Sequence, residues 1–274
     1  MNLKKRRIIL VLCLLIFLVA TPIVLLYSNG YRLDSRFHIT KTGGLYVSTP
    51  VSGSEIFINN QLKKTTNVIQ GGLFLQNLKP GKYSILIAKE GYWPWQKELE
   101  IKETMVSEAR ALMLLRDPDG EVLHREELLP SEMKKYDKII ISIQAINNSI
   151  NSATSTAIER FTNHDRQKIW WSPQKNQLWA EWLDSDYQPP YYFSSERVLI
   201  LDSIYKIKNA DFYPGRRDVI IVAVQNGIFA LEIDDRGGRI LQPVYKGKDP
   251  IFALIDGDSS IYVFDEGILM KIKP

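Results

Sequence analysis

The chain has 274 residues, with 35 Lys and Arg against 31 Asp and Glu, three His and a single Cys. Four of the basic residues are Lys4-Lys5-Arg6-Arg7, and setting these four aside leaves 31 basic against 31 acidic. That balance excludes the clustered positive charge a nucleic-acid partner requires, and one Cys excludes a disulfide within the chain. His38, His124 and His164 are too far apart for a metal-ligand spacing, so neither a metal nor a cofactor is expected.

Residues 8–27 carry no charge, and Arg32 is the first charged residue after Arg7. Roughly 20 apolar residues cross a hydrocarbon core of about 30 Å, so this run reads as a transmembrane helix with the lipid bilayer as its partner. Pro22 is tolerated there if neighbouring groups satisfy the freed carbonyl. The basic residues hold the N-terminus in the cytoplasm. This makes residues 1–7 a cytoplasmic tail, 28–40 a juxtamembrane segment, and the rest the exterior part of a single-pass protein of the cytoplasmic membrane. A cleaved signal peptide would have a shorter core and a small-residue cleavage site. Val19-Ala20-Thr21-Pro22 is a poor one. A buried core helix would carry polar residues on one face, and this run has none.

Residues 41–116 read as short strands separated by turns. Gly43-Gly44-Leu45-Tyr46-Val47-Ser48 opens the series. Glu55-Ile56-Phe57-Ile58 and Gln61-Leu62-Lys63-Lys64 flank Asn59-Asn60, which suits a tight hairpin because Asn tolerates positive φ. Pro80-Gly81 marks a type II turn before Tyr83-Ser84-Ile85-Leu86-Ile87-Ala88. After Gly91-Tyr92, alternation puts Trp93, Trp95, Leu99 and Ile101 on one side of a further strand, with Gln96, Glu98 and Glu100 on the other. Residues 103–115 fit a helix through Met105, Ala109, Leu112 and Met113, and a strand through Ala109, Ala111, Met113 and Leu115. The pattern describes a small β-sandwich.

Pro50 with Gly53, Ile56-Phe57-Ile58-Asn59-Asn60, Leu78-x-Pro80-Gly81-x-Tyr83 and Lys89-Glu90-Gly91-Tyr92 together resemble a PEGA domain. The resemblance implies a β-sandwich in an envelope protein, with residues 103–115 as the closing strand. It implies an accessory or binding role and carries over no active-site residues.

Residues 117–168 form a connecting region. Asp117-Pro118-Asp119-Gly120 reads as a turn, since the remaining ligands of a calcium loop are missing. Residues 138–143 read as a strand, and the polar tract 147–156 as a long exposed loop.

Three anchors divide residues 169–274: Trp171-Ser172-Pro173, Phe212-Tyr213-Pro214-Gly215 and Phe252-Ala253-Leu254-Ile255-Asp256-Gly257. Pro173, Pro214 and Ile255 follow one another at 41 positions, within the range of propeller blades. Residues 218–224 and 228–233 form a hairpin around Gln225-Asn226-Gly227, and residues 260–264 and 267–272 repeat it. The units resemble blades of WD40-like or TolB-like β-propellers. A closed propeller needs about four blades at least, so the expectation is a partial or atypical one. Alternatives are a divergent blade within 120–168, an irregular sheet domain, or closure by a second chain.

No nucleophile elbow, phosphate loop or His-Glu-x-x-His helix is present. His164-Asp165 lacks a nucleophile to complete a triad, so no catalytic residue is assigned. Aromatic residues crowd positions 170–193. Alternation assigns Trp171 and Trp182 to the core. Trp170 and Trp179 fall on the polar side, and Tyr191 and Tyr192 follow Pro189-Pro190 on an extended loop. These four are the ligand-contact candidates, because aromatic faces offer apolar area with a polar edge. The expected function is a membrane-anchored, extracytoplasmic envelope protein that binds a protein or glycan without catalysis. The alternatives are a cell-wall polymer hydrolase with paired carboxylates in a cleft, and a sensor assembling through an incomplete propeller.

Overall fold

The computed structural model describes residues 3–33, 38–151, 157–161, 166–172 and 174–273. His164, Asp165, Pro173 and residues 152–156 of the polar tract lie outside them. The chain is mainly β, with one apolar N-terminal helix and several separate sheets.

Helix α1, Leu3–Ser28, contains the whole uncharged run with Pro22 inside it. Thr21 Oγ1 donates to the Phe17 carbonyl at 2.7 Å beside the proline. No part of its apolar window is buried by the rest of the protein, and the helix is long and apolar enough to cross a membrane.

A short hairpin, β1 (Tyr31–Leu33) with β2 (Ile39–Lys41), leads into the first module. Its strands are β3 (Gly43–Ser48), β4 (Glu55–Ile58), β5 (Gln61–Thr65), β6 (Gly72–Leu78), β7 (Gly81–Ala88), β8 (Trp95–Ile101) and β9 (Val106–Arg110). They form two sheets, ordered β6-β3-β9 and β5-β4-β7-β8. Asn59 and Asn60 adopt φ of 49° and 64° in the β4–β5 turn, the left-handed region that Asn tolerates. Leu45, Val47 and Ala109 from one sheet share a buried cluster with Ile56, Ile85, Ile87, Trp95 and Leu99 from the other. Of the two patterns in residues 103–115, the strand prevails: β9 pairs parallel with β3. Beyond it, Ala111, Leu112, Met113 and Leu114 are all buried. Neither period fits them, because this stretch runs between the first module and the later sheets and is covered on both sides.

The connecting region supplies β10 (Gly120–Val122) and helix α2 (Pro130–Asn151). Residues 138–143, expected as a strand, lie within α2, and the polar tract continues this helix to Asn151 instead of looping. Tyr136, Ile139, Ile140, Ile143 and Ile146 recur at helical spacing and pack on one side, while Ile141 faces out. The Glu132 carboxylate accepts the Leu129 N–H at 3.2 Å, closing the first turn.

Three four-stranded antiparallel sheets follow. The first comprises β11 (Ile158–Phe161), β12 (Gln167–Ser172), β13 (Gln177–Trp182) and β14 (Arg197–Asp202). The second comprises β15 (Asn209–Phe212), β16 (Val219–Val224), β17 (Gly227–Glu232) and β18 (Leu241–Lys246). The third comprises β19 (Ile251–Leu254), β20 (Ile261–Asp265), β21 (Ile268–Ile272) and, from the connecting region, β10 on β21. The expected hairpins appear as β16–β17 and β20–β21.

The sheets stack face to face. Every residue of β16 is buried, because its alternate residues enter two cores. Ile220, Val222 and Val224 join Ile169, Trp171, Leu178 and Ala180 of the first sheet. Val219, Ile221 and Ala223 join Phe252, Ile261 and Val263 of the third, in a cluster continuous with the first module. The far side of the third sheet (Ile251, Ala253, Tyr262, Leu269) is closed by Ile139 and Ile143 of α2.

Polar groups fasten the first module to the second sheet. The Lys97 side chain is 0% exposed and lies 2.8 Å from the Glu232 carboxylate, itself 3% exposed. Lys97 Nζ also donates to the Asp234 carbonyl at 2.7 Å. Glu232 Oε1 accepts Trp95 Nε1–H at 2.6 Å and the Leu112 N–H at 3.2 Å. Burial pushes the Glu232 carboxyl above its ordinary value, with the Lys97 charge pulling against that rise. Nearby, Gln242 accepts the Leu114 N–H at 2.9 Å and donates to the Leu112 carbonyl at 2.8 Å. Arg216, paired with Asp218, donates to the Ala111 carbonyl at 3.0 Å. Gly237 sits at φ +64°, where a Cβ would collide with the Glu98 backbone, so the module approaches this loop more closely than any other residue would allow.

Lys97→Met should destabilise the protein by about 3–5 kcal/mol, because Glu232 would be left charged and buried without its counter-ion. Chemical denaturation in detergent solution measures this. The double variant Lys97→Met/Glu232→Gln should recover part of the loss.

On the third sheet, burial pushes the Asp258 carboxyl up, but hydrogen bonds from Lys135, Tyr262 and Ser260 outweigh it and hold the group well below the usual carboxylate range. A depressed folded value gives stability that is present above the unfolded value of about 4 and lost as pH falls through the folded one. The melting temperature should therefore fall with acidification below about pH 4, and less steeply in Asp258→Asn.

Candidate functional site

The four aromatic candidates occupy two places. Trp170 on β12 and Trp179 on β13 are direct cross-strand partners. Alternation turns both away from Ile169, Trp171, Leu178 and Ala180, onto the side of the first sheet opposite the second. Their rings stack with centroids 5.7 Å apart and planes 8° apart. Charged residues surround the pair: Lys168 lies 2.9 Å from Glu159, and Arg197 lies 3.0 Å from Glu181. The Arg197 guanidinium lies 5.8 Å from the Trp170 ring centroid. Among the described residues neither tryptophan belongs to a buried hydrophobic cluster. The stack therefore has a closed end, under α2, and an open one, with the tryptophan pair at its centre.

Stacking covers one face of each indole, and the Arg197 guanidinium lies near the Trp170 ring as well. Both rings are partly buried, so little ring face remains for a flat ligand. A sugar ring, which lies along an aromatic face, is offered little here. A protein surface, which can meet ring edges, aliphatic stems and paired charges together, is offered more.

Tyr191 and Tyr192 point to different surroundings, although their rings touch edge to face at 5.4 Å. Tyr192 donates its hydroxyl to Gln167 Oε1 at 3.1 Å, and burial pushes its phenol up to about 12. Tyr191 lines a cleft of about 690 Å³ between the first module and the stack, shared with Phe193, Arg236, Glu98, Glu100 and Glu108. Arg236 lies 5.1 Å from the Tyr191 ring centroid and is held by Asp234 at 2.8 Å. Burial, reinforced by the Asp218 charge, pushes the Tyr191 phenol well above its ordinary value. Both tyrosines are thus neutral donors across the physiological range. Glu98 pairs with Lys82 at 2.9 Å on the open side of the cleft.

Trp171 is buried, as expected. Trp182 is only partly so, donating Nε1–H to the carbonyls of Asp184 and Tyr187 at 2.8 and 3.1 Å. The residues that sequence reasoning missed are Glu98, Glu100, Glu108 and Arg236. The glutamates lie close together in the chain on β8 and β9, but Arg236 joins them from more than 100 positions away, and no local pattern marks that grouping. No protein-family model matches the chain, and no curated protein matches it.

The tryptophan pair should show a coupling of about 0.5–1.5 kcal/mol beyond the two single effects. A double-mutant cycle of Trp170→Ala and Trp179→Ala, followed by denaturation, reads it directly.

Proposed function

We propose that this chain is a single-pass protein of the cytoplasmic membrane, with its N-terminus inside. Its exterior β modules dock another protein, as a scaffold without catalytic chemistry. In this reading residues 41–116 are a PEGA-like β-sandwich, and the three stacked sheets are blades of a partial propeller. Asn59-Asn60 at positive φ and the β3–β9 pairing support the first assignment. The 41-position spacing and the antiparallel four-strand order support the second.

The observation that carries the docking role is the asymmetry of the stack. Among the described residues, each face of the three stacked sheets is covered by a neighbour or by α2, except the face bearing Trp170 and Trp179. Its balanced Glu159, Lys168, Glu181 and Arg197 suit a protein surface of mixed charge. Full-length protein captured on resin should retain a partner from detergent-solubilised membranes. Trp179→Ala should weaken that retention by about 2 kcal/mol, roughly thirtyfold in affinity. Equal retention by the variant, at unchanged melting temperature, removes this reading.

One observation favours hydrolysis of an envelope polymer as a second reading: the Tyr191 cleft holds three carboxylates, Glu98, Glu100 and Glu108. Hydrolysis with a carboxylate pair requires one as acid and one as base or nucleophile. Release of fragments from cell-wall polymer, lost in Glu108→Gln and Glu100→Gln, would establish it.

A further inference from the structure

The end of α1 is not joined to the first module by a loose tether. Arg32 lies 3.6 Å above the Tyr27 ring. It donates to the Tyr27 carbonyl at 2.7 Å, where the C-terminal end of the helix favours a cation. Its Nε donates to Asn77 Oδ1 at 2.8 Å, at the end of β6. The Gly30 carbonyl accepts both the backbone N–H and the hydroxyl of Thr42, at 3.0 and 2.9 Å. The Thr42 carbonyl in turn accepts the Thr104 N–H at 2.9 Å. Helix end and module therefore share one hydrogen-bonded network, and the depth of one fixes the depth of the other.

Ser28, Asn29 and Gly30 at the helix end line a crevice of about 510 Å³ together with Phe74, Met105 and Val106. These three apolar side chains are 48%, 59% and 53% exposed. Leu33 and Ile39 of the adjoining hairpin are exposed as well. Tyr46 touches Phe74 across the same sheet face, ring edge to face, at 6.5 Å. Soluble surfaces carry such residues singly, and a cluster of them marks a contact. Tyr27 and Tyr46 add the amphipathic rings that concentrate at membrane–water interfaces.

We infer that this crevice and its apolar rim are seated in the interfacial layer of the bilayer, so that Phe74, Met105 and Val106 contact phospholipid directly. The inference rests on α1 being a membrane span. If Leu25 to Ser28 leave the hydrocarbon there, the side chains sharing a crevice with Ser28 lie at headgroup and upper acyl depth. The contact is apolar and does not call for anionic lipid. It holds the first module against the membrane and fixes the direction in which the three sheets project.

The test uses full-length protein in phosphatidylcholine vesicles. With Cys13→Ala as background, a single nitroxide is placed through Val106→Cys, Met105→Cys, Leu15→Cys or Glu90→Cys. Leu15 lies in the span, and exposed Glu90 lies beyond β7, at the opposite end of that strand from the Pro80-Gly81 turn. Labels at positions 105 and 106 should collide readily with oxygen and several-fold less with a water-soluble nickel complex than the label at 90. Collision with nickel equal to that at 90, while the label at 15 reports hydrocarbon, overturns the inference and leaves the membrane span standing. An aqueous reading at 15 removes the span, and this inference with it.

Discussion

Lys97 sits at an inward position of β8, between Trp95 and Leu99, in a run whose other inward residues are apolar. A lysine there has two outcomes. It meets a counter-charge as fully buried as itself, or it prevents the strand from packing. Glu232 supplies that charge from the end of β17, in a different module, and Asp234 supplies a carbonyl beside it. The pair does more than neutralise. Glu232 also accepts from Trp95 and from the backbone of Leu112, so one carboxylate holds two segments of the first module to the second sheet. The pair itself adds little net stability over a hydrophobic replacement. Its physical effect is on geometry: a buried ion pair tolerates neither sliding nor rotation of one module on the other.

From this fixed joint the remaining architecture follows. Residues 111–114 pass through the joint with both faces covered: the Ala111 N–H donates to the Ser48 carbonyl of β3 and the Leu114 carbonyl accepts from the Trp93 N–H, while Glu232, Gln242 and Arg216 match the Leu112 and Leu114 N–H groups and the Ala111 and Leu112 carbonyls. The chain then contributes β10 to the last sheet before α2 and the first sheet are built. The third sheet thereby joins a strand from before α2 to the last strands of the chain, with β21 held between β10 and β20. The cleft at Tyr191 exists because the joint brings Glu98 and Glu108 opposite Arg236. The open face at Trp170 and Trp179 exists because α2 covers only the other end of the stack.

Legibility in the sequence divided along the range of the interactions involved. The hairpins at 55–65, 219–232 and 261–272 could be read because alternation and turn chemistry act within a few residues. Residues 138–143 could not: a run of three isoleucines satisfies a strand and a helix equally, and only the core of the third sheet, which accepts Ile139 and Ile143 together, selects the helix. Trp170 and Trp179 were found by alternation, which tells inside from outside, and Tyr191 and Tyr192 by the proline-led loop before them. Neither signal can tell which outside, and Tyr191 and Trp170 stand on different ones. Lys97 falls on the apolar side of the alternation along β8 and went unread there, because its partner lies 135 positions away, beyond any local pattern.

An unbroken apolar run, a set of two-residue turns and a recurring aromatic-to-proline spacing were enough to specify one lipid-compatible helix and a chain of short antiparallel strands, since each rests on hydrogen bonds and burial within its own neighbourhood. Folding in three dimensions settled what those strands face: which sheet end is capped, which carboxylates share a cleft, and where a buried lysine finds its charge. Such pairings are set by the packing of surfaces distant in the chain, and their free energy exists only once both surfaces have formed.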